Sequence, residues 1–320
     1  VLDVVIADPA TVQDLDQYRG ELAGVAVLAT PPAEVDLGRY RDGAPRRTEE
    51  ERKALEENVL PPTLRAPAQP RNPDLLRSQD RMAFFKAEGV AVVLECPSGW
   101  IGAVRGFARP GTKVDRWGRE ESLAGPPIVV VTPEHYNRMY RVLEREIPVS
   151  IEVEVRNRIG DRREQASNVL GEIPGSDLAD EVGMLGAHFD TWHACPNASD
   201  NTSGVAVMLE AARILKAIGV QPRRTIRIAL WAGEEQGLTG SREYVLEHFG
   251  DPNDPEIGLK PAYNTFSVYF NQDYGPGLYR GVYLRGNEHV RSLFEAWMEP
   301  FHDFGMTTTS IQSVGSTDHI

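Results

Sequence analysis

Leu185-Gly-Ala-His-Phe-Asp-Thr-Trp-His-Ala-Cys-Pro-Asn-Ala-Ser-Asp-Asn201 decides how the rest of the chain is read. The apolar run Val182 to Ala187 ahead of it has the composition of a buried strand. The stretch ends at Asp200, Asn201 and Thr202, residue types that cap helices. A helix over Ser203 to Ile218 follows, with Val205, Met208, Leu209, Ala212 and Leu215 on one face. His188 and Asp190 therefore stand where a strand runs out, and Asp200 where a helix begins. In an open α/β sheet this carboxyl edge is where ligands bind. An imidazole and two carboxylates converging there point to a metal.

Working outward, strands and helices alternate from Glu181 to the end. Strands are predicted at Val182 to Ala187, Thr225 to Trp231, Thr265 to Asn271 and Gly281 to Arg285, with Thr307 to Gln312 near the terminus. Helices are predicted at Ser203 to Ile218, Ser241 to His248 and Glu288 to Phe301. That order implies an α/β fold with a mainly parallel, mixed sheet and helices on both faces. Val149 to Arg156 alternates polar and apolar residues like a half-buried strand, and Asn168 to Ile173 forms another. The first part of the chain predicts strands at Gly24 to Ala29, Val90 to Glu95 and Ile128 to Thr132. It predicts helices at Thr48 to Asn58, Arg77 to Glu88 and Glu134 to Glu146, within a Pro-, Arg- and Glu-rich excursion over Pro31 to Pro73 in the first case. It offers no His, Cys, Asp and Glu cluster at ligand spacing. Two domains are expected, residues 1–148 and 149–320.

The chain has 320 residues, 41% hydrophobic and 25% charged, the balance of an ordinary folded protein. Its net charge of -13 excludes a nucleic-acid backbone as a natural partner. No apolar run is long enough to span a bilayer. Cys96 and Cys195 make no disulfide framework. The chain begins at Val1 and has a strand pattern beside its last residue, so it reads as truncated at both ends.

Chemistry-bearing residues recur after successive strands: His188 and Asp190 with Asp200, then Glu234-Glu235, then Asp273, then His319. Unpaired carboxylates so close would repel one another, and a divalent cation relieves that. Imidazole with carboxylate suits zinc better than magnesium or calcium. Two histidines and at least three carboxylates are enough for two ions sharing a bridging carboxylate. Of two adjacent glutamates, one can bind metal while the other takes a proton from water. Each element alone has an ordinary structural explanation as a cap, a helix start or a core histidine; the ordered set does not.

Gly186-Ala-His-Phe-Asp190, Ala198-Ser-Asp-Asn-Thr-Ser-Gly204, Trp231-Ala-Gly-Glu-Glu-Gln-Gly237 and Gly315-Ser-Thr-Asp-His319 resemble the di-zinc exopeptidase family of leucyl-type aminopeptidases and plasma-type glutamate carboxypeptidases. The resemblance covers Asn168 to Ile320. More weakly, the first half resembles the smaller, β-rich protease-associated domain that this family carries as an insertion. The resemblance implies that His188 and Asp273 bind one zinc, Glu235 and His319 the other, and that Asp200 bridges both. It implies Glu234 as general base and later proton donor, and Asp190 as the residue that orients His188. It further implies a peptide substrate and a secreted or periplasmic location. An aminopeptidase is favoured, because a free amine can approach a carboxylate-rich site. A carboxypeptidase or dipeptidase, an inactive peptide-binding module, and an enzyme of N-terminal glutamine cyclisation are the alternatives. Arg280, Arg285 and Arg291 are the candidates to grip a terminal carboxylate. The chain departs from the family at Gln272, where a small apolar residue is usual, and in carrying His193 and Cys195 near the site. The resemblance implies that the family's segments before Val1 and after the last histidine lie outside this sequence.

Overall fold

A computed structural model describes residues 1–35, 47–58, 72, 74–96, 125–156, 165–192, 195–273 and 275–319. The chain packs as two units, Val1–Arg46 with Pro67–Ile159, and Arg47–Ala66 with Gly160–Ile320.

In the first unit, strands β1 (Leu2–Ile6), β2 (Ala26–Leu28), β3 (Val92–Glu95), β4 (Ile128–Val130) and β5 (Ser150–Ile151) form one sheet in the order β4-β3-β2-β1-β5. The first four run parallel and β5 antiparallel at the edge. Alternate strand residues enter two cores, as the pleat requires. Val27 and Val93 pack with Met82 and Phe85 of the helix Ser78–Ala87, while Ala26, Leu28 and Leu94 pack with Tyr136 of the helix Pro133–Leu143. Pro133 opens the latter helix at a position where its missing N–H costs nothing. The strand predicted over Val149 to Arg156 is cut to two residues. Ser150 and Ile151 pair with Asp3 and Leu2, and residues 152–156 lie outside any strand. Alternation makes a segment able to pair, but a partner strand decides whether it does.

The α-helices among the described residues are α1 (Glu49–Glu56), α2 (Ser78–Ala87), α3 (Pro133–Leu143), α4 (Thr202–Ala217), α5 (Thr239–His248) and α6 (Arg291–Met298). Helix α1 lies in the second unit, and its N-terminus carries a capping box between Thr48 and Glu51. The second unit is built on β6 (Val169–Ile173), β7 (Leu178–His188) and β8 (Arg224–Trp231). It continues through the short hairpin of β9 (Gly250–Asp251) and β10 (Gly258–Leu259) to β11 (Phe266–Asn271), β12 (Gly281–Tyr283) and β13 (Thr308–Ser310). The main sheet runs β11-β7-β8-β6, with β11, β7 and β8 parallel and β6 antiparallel at the edge. Strands β12 and β13 form a separate parallel pair. Met184, Ala229 and Trp231 pack under Tyr244 of α5; Ala187 and Ile228 pack under Met208 of α4. Helices therefore cover opposite faces of this mainly parallel sheet, as the alternating pattern implies.

The helix predicted over Glu288 to Phe301 is broken into 3-10 turns at Glu288–Val290 and Glu299–Phe304 around α6. Pro300 has no N–H to continue the α ladder. No helix among the described residues is long and apolar enough to cross a membrane.

Candidate metal centre

Strand β7 ends at His188, whose side chain is fully buried. Its Nε2 lies 3.1 Å from Asp200 Oδ1 and 3.3 Å from Asp273 Oδ1. One ligand atom from each of these three residues lies within 4.8 Å of the others, which fits a single cation. Two carboxylates converging on one imidazole nitrogen is the donor set that zinc takes. The opposite nitrogen, Nδ1, faces the Asp190 backbone carbonyl at 3.2 Å and the Asp190 carboxylate at 3.5 Å. That backing fixes which nitrogen is free to ligate.

Local sequence explains how the three are brought together. Asp273 follows β11, which pairs with β7 so that Asn271 lies opposite Gly186. Asp200 precedes α4, whose N-cap is Asn201: its Oδ1 accepts from the Gly204 N–H, and its Nδ2 donates to the Gln272 carbonyl at 2.8 Å. The Gln272 N–H in turn donates to the Gly186 carbonyl. A Cβ on Gly204 would meet the Gln272 oxygen at 2.6 Å and the Asn201 oxygen closer still, so only glycine allows this approach. The Asp200–Asn201 peptide bond is cis.

Glu234 and Glu235 follow β8, and Asp190 spans them: Oδ1 accepts from the Glu234 N–H at 3.0 Å and Oδ2 from the Glu235 N–H at 3.3 Å. Asp190 thus links the histidine to the paired glutamates. Burial, reinforced by the charges of Asp273, Asp318 and Glu235 against that of His188, pushes the Glu234 carboxyl up to about 8. Burial opposes the charged form of His188, but hydrogen bonds to Asp190 and Asp273 and the charges of Asp273 and Glu234 outweigh it and push the imidazole up to about 11. Burial also raises Glu235, aided by the nearby Asp200 carboxylate, and the Trp192 side chain hydrogen-bonds to it.

Glu235 and His319 are not part of the three-residue group. His319 Nε2 donates to the Val314 carbonyl at 2.9 Å. The neighbours of His319 reach further into the site than the sequence suggests. Asp318 is buried, accepts from Ser241 Oγ at 2.6 Å, and is pushed up to about 6 by burial. Thr317 hydrogen-bonds to Asp273. Their adjacency to His319 was the available signal; Asp318 has a chemistry-bearing residue type, whereas Thr317 does not. His193 lies outside the described residues, and Cys195 is exposed.

The model of Peptidase family M28 matches residues 168–320. This segment belongs to peptidase family M28. The M28 segment holds every residue of the centre. Among curated proteins, the chain is 27% identical over 181 residues to carboxypeptidase Q of Pongo abelii, covering 57% of this chain and 36% of that protein. It thus spans little more than a third of that relative's length. Among solved structures, a Peptidase M28 precursor from Shewanella amazonensis SB2B superposes with a TM-score of 0.61 at 22% identity, covering 99% of this chain and 61% of that one. A zinc aminopeptidase from Bacillus subtilis gives 0.53 at 18% identity, covering 99% and 60%. These likenesses show that the α/β fold is that of M28 peptidases.

Proposed function

We propose that the chain is a zinc-dependent exopeptidase, with His188, Asp200 and Asp273 holding zinc and Glu234 as general base. The observation that carries this reading is the buried Glu234 beside a gathered His-Asp-Asp set, tied to it through Asp190. Zinc supplies a Lewis acid for the peptide carbonyl and a water that ionises near neutral pH. Glu234, with a carboxyl raised toward neutrality, is suited to take the water's proton and return it to the leaving amine. Asp190 holds the Glu234 backbone and the His188 ring in one frame.

We propose a second zinc shared through Asp200, with Glu235 and His319 as its further ligands. The charge of Asp200 bears on Glu235, in support; His319 would have to exchange its bond to Val314 or use Nδ1. The protease-associated reading of residues 1–148, the 149–320 catalytic domain and a secreted or periplasmic location are carried as proposals on the family resemblance.

Release of an N-terminal residue is favoured. A cationic amine suits a site rich in Asp200, Glu234, Glu235, Asp273 and Asp318. Of the three candidate arginines to grip a terminal carboxylate, Arg291 is held by Glu288 and Thr309 and Arg280 donates to the Phe304 carbonyl, which leaves Arg285, whose charge bears on His319. The likeness to carboxypeptidase Q keeps release from the other end as the second reading.

Zinc content per chain after dialysis, measured alongside release of free amino acid from peptides blocked at one end or the other, tests both points. Two zincs with release from unblocked amino ends is the expected result. One zinc removes His319 from the ligand set. Release only from carboxyl ends overturns the preferred direction, and no zinc with no release overturns the function.

A further inference from the structure

Behind the candidate zinc ligand Asp273 stands a chain of side chains that the chemistry above does not use. Trp231 Nε1 donates to Tyr269 Oη at 2.6 Å, and Tyr269 Oη donates to Asn271 Oδ1 at 2.7 Å. Asn271 Nδ2 donates to Thr317 Oγ1 at 2.7 Å, and the Thr317 hydroxyl, the one donor of its side chain, acts on the Asp273 carboxylate and favours its ionised form. Three consecutive hydrogen bonds therefore point the same way and end on the hydroxyl that serves a carboxylate. Trp231 and Thr317 are buried, at 3% and 4% exposure. Room for the relay is built into the strand beside it. A Cβ on Gly186 would meet Tyr269 Cε2 at 2.6 Å and its hydroxyl closer still.

We propose that Thr317 is a positioning residue for Asp273, and that Trp231, Tyr269 and Asn271 serve to present the Thr317 hydroxyl to it. This rests on the zinc reading of the site. A carboxylate that ligates metal must hold one oxygen toward the ion, and a donor on the carboxylate removes its freedom to rotate away. Bonds aligned head to tail polarise one another, so the last donor, Thr317, is strengthened by those behind it. The relay also joins three segments, the ends of β8 and β11 and the Gly315-to-His319 stretch, at the side chain that must stay still.

The test compares zinc affinity of the intact chain and its variants, by competition with a chromophoric chelator, with thermal melting of each metal-free chain as a check on folding. Thr317→Val keeps the shape and removes the hydroxyl. Asn271→Asp keeps the size but removes the donor, so that Thr317 turns its proton toward residue 271. Both are expected to bind zinc about 10–100-fold more weakly, the usual range for loss of a partner behind a ligand. Thr317→Ser, which retains the hydroxyl, is expected to match the wild type. In the Asn271→Asp, Thr317→Val double variant the losses should be less than additive, since both cut one chain of bonds. Wild-type affinity in Thr317→Val and Asn271→Asp overturns the proposal while leaving the zinc reading intact. A loss in Thr317→Ser as large as in Thr317→Val also overturns it, because the methyl and not the hydroxyl would then matter. A wild-type chain that takes up no zinc overturns both readings together.

Discussion

In the metal-free chain Glu234 holds its proton to higher pH than an ordinary carboxyl, because it is buried among Asp273, Asp318 and Glu235 with only the His188 charge to offset them; a bound cation beside it favours the ionised form that acts as base. Replacing it by glutamine keeps the shape and removes the base. Glu234→Gln is expected to retain zinc and to lose turnover by about 10²–10⁴-fold, the usual worth of a positioned acid–base group; steady-state kinetics beside elemental analysis checks this. Asp200→Ala, by contrast, removes one of the three gathered ligands and is expected to lose the metal itself. Retained zinc in that variant would remove Asp200 from the set. At this scale the sequence was legible where residue type announces chemistry: His188, Asp200 and Asp273 stand at the strand and helix ends that the pattern placed. Thr317 and Tyr269 were not legible. A hydroxyl gains its role from what folds against it, and their partners lie 44 and 38 positions away at Asp273 and Trp231.

The N-terminus of α4 is the element that sets Asp200. Its cap, Asn201, is buried and bonds both the helix and the end of β11. Gly204→Ala would drive a methyl into the cap and into the Gln272 carbonyl. Overpacking of this kind costs about 1–3 kcal/mol, so the variant is expected to melt earlier and to bind zinc more weakly, as calorimetry and chelator competition would show. The periodicity of α4 and the cap types before it were readable in sequence. That Asn201 also ties down Gln272 was not, because the tie depends on the register of β11 against β7. The same limit explains residues 152–156, where alternation without a partner strand leaves irregular chain.

Several groups of the second unit hold their protons more tightly when folded, among them Asp318 up to about 6, Glu234 to about 8 and His188 to about 11, with Glu235 raised in the same direction. A raised folded-state pKa contributes stability that is present below the unfolded value and lost as pH rises through the folded one. The metal-free chain is therefore expected to lose stability as pH rises from about 5 to 9 through the ranges of these groups. Melting in a strong chelator at several pH values checks it, and a rising melting temperature over that range would contradict it. Zinc must displace the His188 proton to bind, so its apparent affinity should rise with pH. Ligation of the folded form alone raises the melting temperature with free zinc. Sequence alternation gave the sheet of this unit and its covering helices. Net charge, at -13, gave no hint that so many of the acids gather at one strand edge.

An indole has no lone pair to offer, so Trp231 can stand only at the head of its row of hydrogen bonds. Every rotor after it is thereby given a sense: the tyrosine hydroxyl cannot turn back, and the Asn271 amide cannot flip without setting two like groups against each other. The tryptophan works as a one-way valve, three residues ahead of the base and opposite His188 on the neighbouring strand. Were it phenylalanine, the row could run in reverse, and Asp273 would lose its donor with every residue that contacts it unchanged.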